Sequence, residues 1–291
     1  MKPVVSIIIV NWNGLTHLSD CLASLESQTF HDFELIVVDD GSTDNTHLIE
    51  DQYDGQLLYI KQENKGVSAA RNRGIRKSIA KYIAFLDSDD KWLPSKLEEH
   101  HRFIIKNPDI RIHQTDEIWI RRGQRVNPKN KHKKKGGDIF TKSLELCLIS
   151  PSAVVLNRNL FDEFGYFDES MPVCEDYDLW LRITSRERIG LIDKKLVEKF
   201  GGHHDQLSNR YWGMDRFRIY SIIKLLKEQG NELGEKNKEV AKKTALKKCR
   251  ILATGALKRK KIDYANQIKE IILMLNNENY SSIDYRILLG K

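Results

Sequence analysis

Three short apolar runs near the start of the chain each stop at a cluster of Asn or Asp. Val4 to Val10 runs into Asn11-Trp12-Asn13, Phe33 to Val38 into Asp39-Asp40, and Tyr82 to Leu86 into Asp87-Ser88-Asp89-Asp90. The runs are too short for helices and too continuously apolar for a sheet wetted on one face, so they read as strands buried on both sides. Between the first two, Leu15, Leu18, Leu22 and Leu25 recur at helical spacing, the stripe of a helix packed on a sheet. A helix is expected near Asn45 to Gln52, its start capped by the hydroxyls of Ser42 and Thr43, and another opens within Asn64 to Gly74. Leu57 to Ile60 reads as a further strand. Strands alternating with helices at this spacing imply βαβ units and a mostly parallel, Rossmann-like sheet with helices on both faces. Parallel strands end on one side of a sheet, and ligands bind beyond those carboxyl ends. The three polar clusters should therefore converge.

The third cluster carries the strongest chemical signal. Carboxylates as close as Asp87, Asp89 and Asp90 repel and raise one another's pKa. A divalent cation that prefers oxygen ligands, Mg2+ or Mn2+, relieves that repulsion and draws in a diphosphate. The competing reading is a solvated acidic turn, since Asp is common after strands. Convergence with two other polar strand ends favours a site.

At 291 residues the chain has room for one large or two ordinary domains. No apolar run approaches the roughly 18 residues that span a bilayer, and no signal peptide is read before Val4. Cys21, Cys147, Cys174 and Cys249 are scattered with no CxxC pair, which argues against a zinc site or a disulfide framework and points to a reducing cytoplasm. The net charge of +7 is uneven: from Gln206 onward there are 19 Lys and Arg against 9 Asp and Glu, so residues 1–205 are slightly acidic. Arg121 to Lys135 holds eight Lys and Arg and no acid, and is expected to stay unpacked until it meets an anion. It reads as a lid, a contact with a phosphorylated acceptor or anionic membrane, or a solvated loop. Nucleic acid is disfavoured, because no stacking aromatics are interleaved with the positive charge.

Several ordered blocks carry a family resemblance: Ser6-Ile-Ile-Ile-Val-Asn-Trp-Asn13, Ser27-Gln-Thr-Phe30, Phe33-Glu-Leu-Ile-Val-Val-Asp-Asp-Gly-Ser-Thr-Asp44, Gly66-Val-Ser-Ala-Ala-Arg-Asn72 and Phe85-Leu-Asp-Ser-Asp-Asp90. Together they resemble the N-terminal half of family 2 of the glycosyltransferases, inverting enzymes of GT-A fold. The resemblance covers about the first hundred residues and resumes at Cys174-Glu-Asp-Tyr-Asp-Leu-Trp180. It implies a GT-A domain over 1–205, with a nucleotide-binding half to about 108 and an acceptor half from about 109, followed by a basic helical extension over 206–291.

The resemblance also implies roles. Val10 would offer backbone groups to the base, Trp12 a stacking face and Asp40 an acceptor for a uracil imide, hence a UDP-sugar donor. Trp12 could instead be a core aromatic. Arg71 would lie near the diphosphate, although an Arg on a helix is also an ordinary salt-bridged side chain. Asp87 and Ser88 would face the nucleotide, with Asp87 on ribose or metal, and Asp89 would bind metal. Asp90 could instead only cap the helix expected at Pro94. Asp176 would be the general base; the competing reading assigns Glu175, Asp176 and Asp178 to the dipole of the helix they open. His203, after a strand-like Leu196 to Phe200, is the candidate for a further metal ligand or a polar surface residue. Leu144 to Ile149 is expected to be helical, and three helices with core stripes are expected after Gly213. The implied function is transfer of a sugar from a nucleotide-sugar to a saccharide or lipid-linked saccharide hydroxyl, in a bacterial envelope or capsule pathway. The alternative is a catalytically silent module that binds a nucleotide-sugar or an anionic polymer. Peripheral contact with the inner face of a membrane would run through 121–135 and the C-terminal helices.

Overall fold

A computed structural model describes residues 2–53, 55–202 and 210–290. Strand β1 (Val5–Asn11) leads into α1 (Leu15–Glu26), β2 (Phe33–Asp39), the short α2 (Ile49–Gln52), β3 (Leu57–Lys61), α3 (Val67–Lys77) and β4 (Tyr82–Asp87). Leu18, Cys21, Leu22 and Leu25 form the buried stripe of α1, packed with Val5, Ile7 and Ile9 of β1. β1 pairs in parallel with β2 and β4, and β2 with β3. The register sets Asn11 beside Asp39 and Val10 beside Asp87, so the three polar strand ends do lie side by side. After β2 the helical turn is capped by an acid rather than a hydroxyl: Asp44 Oδ1 accepts from the Thr46 amide at 3.0 Å.

Beyond β4 the sheet becomes mixed. The chain continues through β5 (Lys91–Trp92), α4 (Lys96–Lys106), β6 (Ile112–Arg121), β7 (Gln124–Val126), α5 (Phe140–Ser143), β8 (Val154–Asn157), α6 (Asn159–Phe164), α7 (Glu175–Thr184) and β9 (Ile189–Gly201). β8 lies antiparallel between β4 and β6, and β9 runs parallel to β6 and antiparallel to β5. The path is 3-2-1-4-8-6-9-5, with β7 hairpinned onto β6. Between the pairs Thr115↔Ile192 and Glu117↔Val197, β9 advances five residues against two of β6. That odd surplus is a bulge, and it reverses which face the following residues of β9 present. Lys199 reaches the sheet's ligand end through it.

One expectation fails locally and a second is met only in part. The helix at Leu144 to Ile149 is not formed: α5 stops at Ser143, and Leu144, Leu148 and Ile149 are buried in an irregular segment. Pro151 disfavours helical backbone just before it. The basic stretch also packs more than its charge suggests. β6 and β7 turn at Arg122 and Gly123, Lys134 forms a buried ion pair with Glu117 at 3.1 Å, and the His132 ring rests 5.3 Å from that of Trp119. A single inward-facing acid supplies the countercharge that composition alone hides.

The chain ends in α8 (Asp215–Glu228), α9 (Glu235–Lys258) and α10 (Ile262–Asn276). Their apolar stripes, including Phe217, Ile222, Leu226, Ala245, Leu252 and Ile268, form one continuous cluster with Phe140, Leu144, Tyr177 and Leu181. Among the described residues, no helix is long and apolar enough to cross a membrane.

Candidate active site

The strand ends open onto two joined hollows that share Val10, Trp12 and Val67. The first, about 610 Å³, is bounded by Asp40, the 64–68 turn, residues 169–172, Arg210 and Tyr211. The second, about 470 Å³, holds Arg71, Asp87, Ser88, Asp89, Asp90, Asp176, Lys199 and Arg218. Val10, Trp12, Asp40, Arg71, Asp87, Ser88, Asp89, Asp90 and Asp176 thus border one cleft. His203 lies outside the described residues.

In the first hollow Trp12 is 44% exposed, which removes the core-aromatic reading, and the Arg210 guanidinium sits 5.1 Å from its ring centre. Asp40 is buried and organises the floor. Its Oδ1 accepts from Gln62 Nε2 at 2.7 Å and the Lys65 amide at 2.9 Å, and its Oδ2 from the Gly66 amide at 2.8 Å. Gly66, at φ 89°, allows the chain to turn back toward that carboxylate. Asp39 instead closes its own turn, accepting from the Ser42 amide and from Tyr59 Oη.

In the second hollow the carboxylate oxygens of Asp87, Asp89 and Asp90 lie within 4.8 Å of one another. Arg71 is buried from α3 and bridges Asp87 Oδ1 at 2.8 Å and Glu175 Oε1 at 2.5 Å, joining the acid triplet to the start of α7. Burial opposes its charge, but Asp87, Glu175 and Asp176 hold the guanidinium above its ordinary pKa. Burial works against Asp87 too, and is outweighed by Arg71 and Lys199, which lower it. For Asp90 burial wins: it is pushed up to about 7, with Asp89 and Asp87 adding to the effect and Lys199 opposing it. Asp90 does not cap α4, whose N-cap is Ser95. It accepts instead from Ser152 Oγ at 2.6 Å and the Phe200 amide at 3.0 Å, tying the turn before β8, and β9, to the β4 turn.

The three acids that open α7 have separate fates. Glu175 is buried on Arg71, and its burial, with the Asp176 charge adding, raises its pKa. Asp178 is buried between Arg182 at 2.8 Å and Lys224 at 3.3 Å. Asp176 faces the cleft with no ion pair among the described residues, its Oδ2 only 3.5 Å from Cys147 Sγ. The dipole reading cannot distinguish these three; their partners do.

A profile described as Glycosyl transferase family 2 matches residues 6–165. The chain belongs to that family. An uncharacterized glycosyltransferase of Rickettsia felis is 34% identical over 229 residues, 75% of this chain but 37% of that protein. The chain thus spans about a third of that relative. The Escherichia coli UDP-Glc:alpha-D-GlcNAc-diphosphoundecaprenol beta-1,3-glucosyltransferase WfgD is 33% identical over 195 residues, 65% of this chain and 73% of that one. The fold is shared with Staphylococcus aureus TarS 1–349, solved with UDP-GlcNAc, at a TM-score of 0.65 and 18% identity over 100% of this chain and 91% of that one. It is shared as well with Mannosyltransferase PcManGT of Pyrobaculum calidifontis, solved with GDP-Man and Mn2+, at 0.59 and 14% over 100% and 86%. This family 2 chain therefore has the GT-A fold, with a helical C-terminal part.

An oxygen-only donor set of clustered carboxylates suits a hard dication such as Mg2+ or Mn2+. Asp89 and Asp87 fit that task best, because both Asp90 oxygens accept hydrogen bonds from the fold, whereas Asp87 Oδ2 meets Lys199 only at ion-pair distance, 3.8 Å. Sequence reasoning missed Glu175 as the partner of Arg71, Lys199 beside the triplet, and Arg210, Tyr211 and Arg218 at the rim. Lys199 had one usable signal: it stands just before Gly201-Gly202, where a strand run ends.

Proposed function

We propose that this chain is an inverting glycosyltransferase that moves the sugar of a UDP-sugar to a hydroxyl of a saccharide or lipid-linked saccharide acceptor, in making a bacterial envelope or capsule polysaccharide. The observation that carries the reading is one cleft with an exposed aromatic face and a buried acid at one end, and an acid triplet and a separately held carboxylate at the other. The donor and acceptor classes are supported by the UDP-GlcNAc bound in TarS and by the name of the E. coli relative. A cytoplasmic site of action suits four free cysteines.

Mg2+ or Mn2+ held by Asp89 and Asp87 would supply Lewis-acid stabilisation of the departing diphosphate. The chain's own residues do the rest. Trp12 stacks on the base, Val10 offers backbone groups, Asp40 accepts from the uracil imide, and Ser88 faces the nucleotide. Arg71 holds Asp87 in place and offsets charge near the diphosphate. Asp176 takes the acceptor hydroxyl's proton on the sugar face opposite the leaving group. The new bond to the anomeric carbon forms as the bond to the diphosphate oxygen breaks, which inverts the centre. A catalytically silent binding module is the rival, and Asp89 and Asp176 facing one cleft speak against it.

Calorimetric titration with UDP, with and without Mn2+, tests the reading. Binding strengthened at least severalfold by the metal is expected; no binding under either condition would sink it. A panel of nucleotide-sugars, read by diphosphate release, then identifies the donor.

A further inference from the structure

Lys199 is a cation at the acid triplet that no role above uses. It projects from β9 beyond the bulge, its Nζ 3.5 Å from Asp90 Oδ2, 3.8 Å from Asp87 Oδ2 and 3.4 Å from Ser150 Oγ. Its side chain is 25% exposed and lines the second hollow, so the ammonium is anchored at the acid triplet in the wall of that hollow. Both Asp87 oxygens thus face a cation, Oδ1 Arg71 at 2.8 Å and Oδ2 Lys199 at the longer 3.8 Å. Asp90 is engaged by Ser152, Phe200 and Lys199. A dication entering the triplet must compete with an ammonium for Asp87 and would then sit beside it, and like charges so close repel.

The conflict has one economical resolution, which rests on the proposed donor class. We propose that Lys199 is a ligand of the nucleoside diphosphate, and that its transfer from Asp87 to the phosphate oxygens couples nucleotide binding to metal binding. Without nucleotide, Lys199 neutralises the triplet and holds the metal off. With nucleotide, the diphosphate receives the ammonium, Asp87 Oδ2 is released, and the metal enters. Because such coupling is reciprocal, each ligand strengthens the other.

The test compares wild type, Lys199→Met and Lys199→Arg. Mn2+ alone is titrated without nucleotide, following the free ion by EPR, and UDP is titrated in EDTA. Lys199→Met is expected to bind Mn2+ about tenfold more tightly than wild type and to lose about tenfold in metal-free UDP affinity, with Lys199→Arg retaining UDP binding. Mn2+ affinity within twofold of wild type in Lys199→Met, or unchanged metal-free UDP binding, overturns the proposal. Should that variant not fold, Lys199→Gln carries the same two readouts. Failure of the donor reading is distinguishable, because it shows as wild-type protein that binds UDP under no condition.

Discussion

The start of α7 shows how much a single side chain's surroundings decide. Glu175, Asp176 and Asp178 share one helical turn and the same favourable dipole. Arg71 occupies the first, Arg182 and Lys224 the third, and Asp176 is left facing the cleft without an ion pair among the described residues. Asp176→Asn keeps the shape and the hydrogen bond from the Tyr177 amide, whose acceptor is Oδ1, while removing the basic oxygen. Transfer in that variant should fall about 10²- to 10⁴-fold, the usual worth of a positioned base, with UDP affinity near wild type. Steady-state turnover alongside UDP titration checks it, and turnover near wild type would place the base elsewhere.

At the scale of elements, the seam between α4 and β6 buries groups that ordinarily carry charge. Lys96 Nζ lies 2.7 Å from His100 Nε2, and the His113 ring stacks on Phe103 with centroids 4.8 Å apart. Burial, with the Lys96 charge adding, depresses His113 to about 3. The unfolded chain therefore takes up a proton near the ordinary histidine pKa of about 6.5, where the folded chain does not. Stability is then lost as pH falls from about 6.5 toward 3, by a few kcal/mol at most. His113→Phe keeps the ring stack and removes the titration, so urea unfolding across that pH range should show a shallower loss than wild type. An unchanged slope would assign the acid sensitivity to other groups. The seam also marks where sequence reading stops. The strands were legible because burial on both faces leaves an unbroken apolar run, and the polar strand ends because parallel order forces them together. Lys199 and Asp87 stand far apart in sequence, and their meeting depends on a bulge in β9 that no periodicity announces. The same holds for Glu117, whose countercharge folds Lys134 inward from a stretch that composition marks as unpackable.

For the molecule as a whole, the family match ends at residue 165, yet the cleft is completed by residues beyond that point. Residues 169–172 wall the first hollow, and the acid just before them, Asp168, is held by α8: its Oδ2 accepts from Lys224 Nζ at 2.6 Å and from Tyr220 Oη at 2.9 Å. Burial would raise Asp168, but the hydrogen bonds from Lys224 and Ser170 hold it to about 2. Its contribution to stability is thus present above the ordinary carboxylate pKa and is lost as pH falls toward 2. Lys224 also reaches Asp178 of α7, so one ammonium braces both the wall of the hollow and the helix that presents Asp176. Lys224→Met leaves two largely buried carboxylates short of a cation, a change that costs about 3–5 kcal/mol when such pairs are fully buried and somewhat less here. If the C-terminal helices position the nucleotide wall, that variant also loses UDP affinity severalfold at a temperature where it remains folded, while nucleotide-free Mn2+ binding at the triplet stays at the wild-type value. Urea unfolding and the two titrations separate the cases. A destabilised variant with wild-type UDP affinity would reduce α8 to a support for the core, and a loss of both ligands would mean that the brace extends to the acid triplet itself.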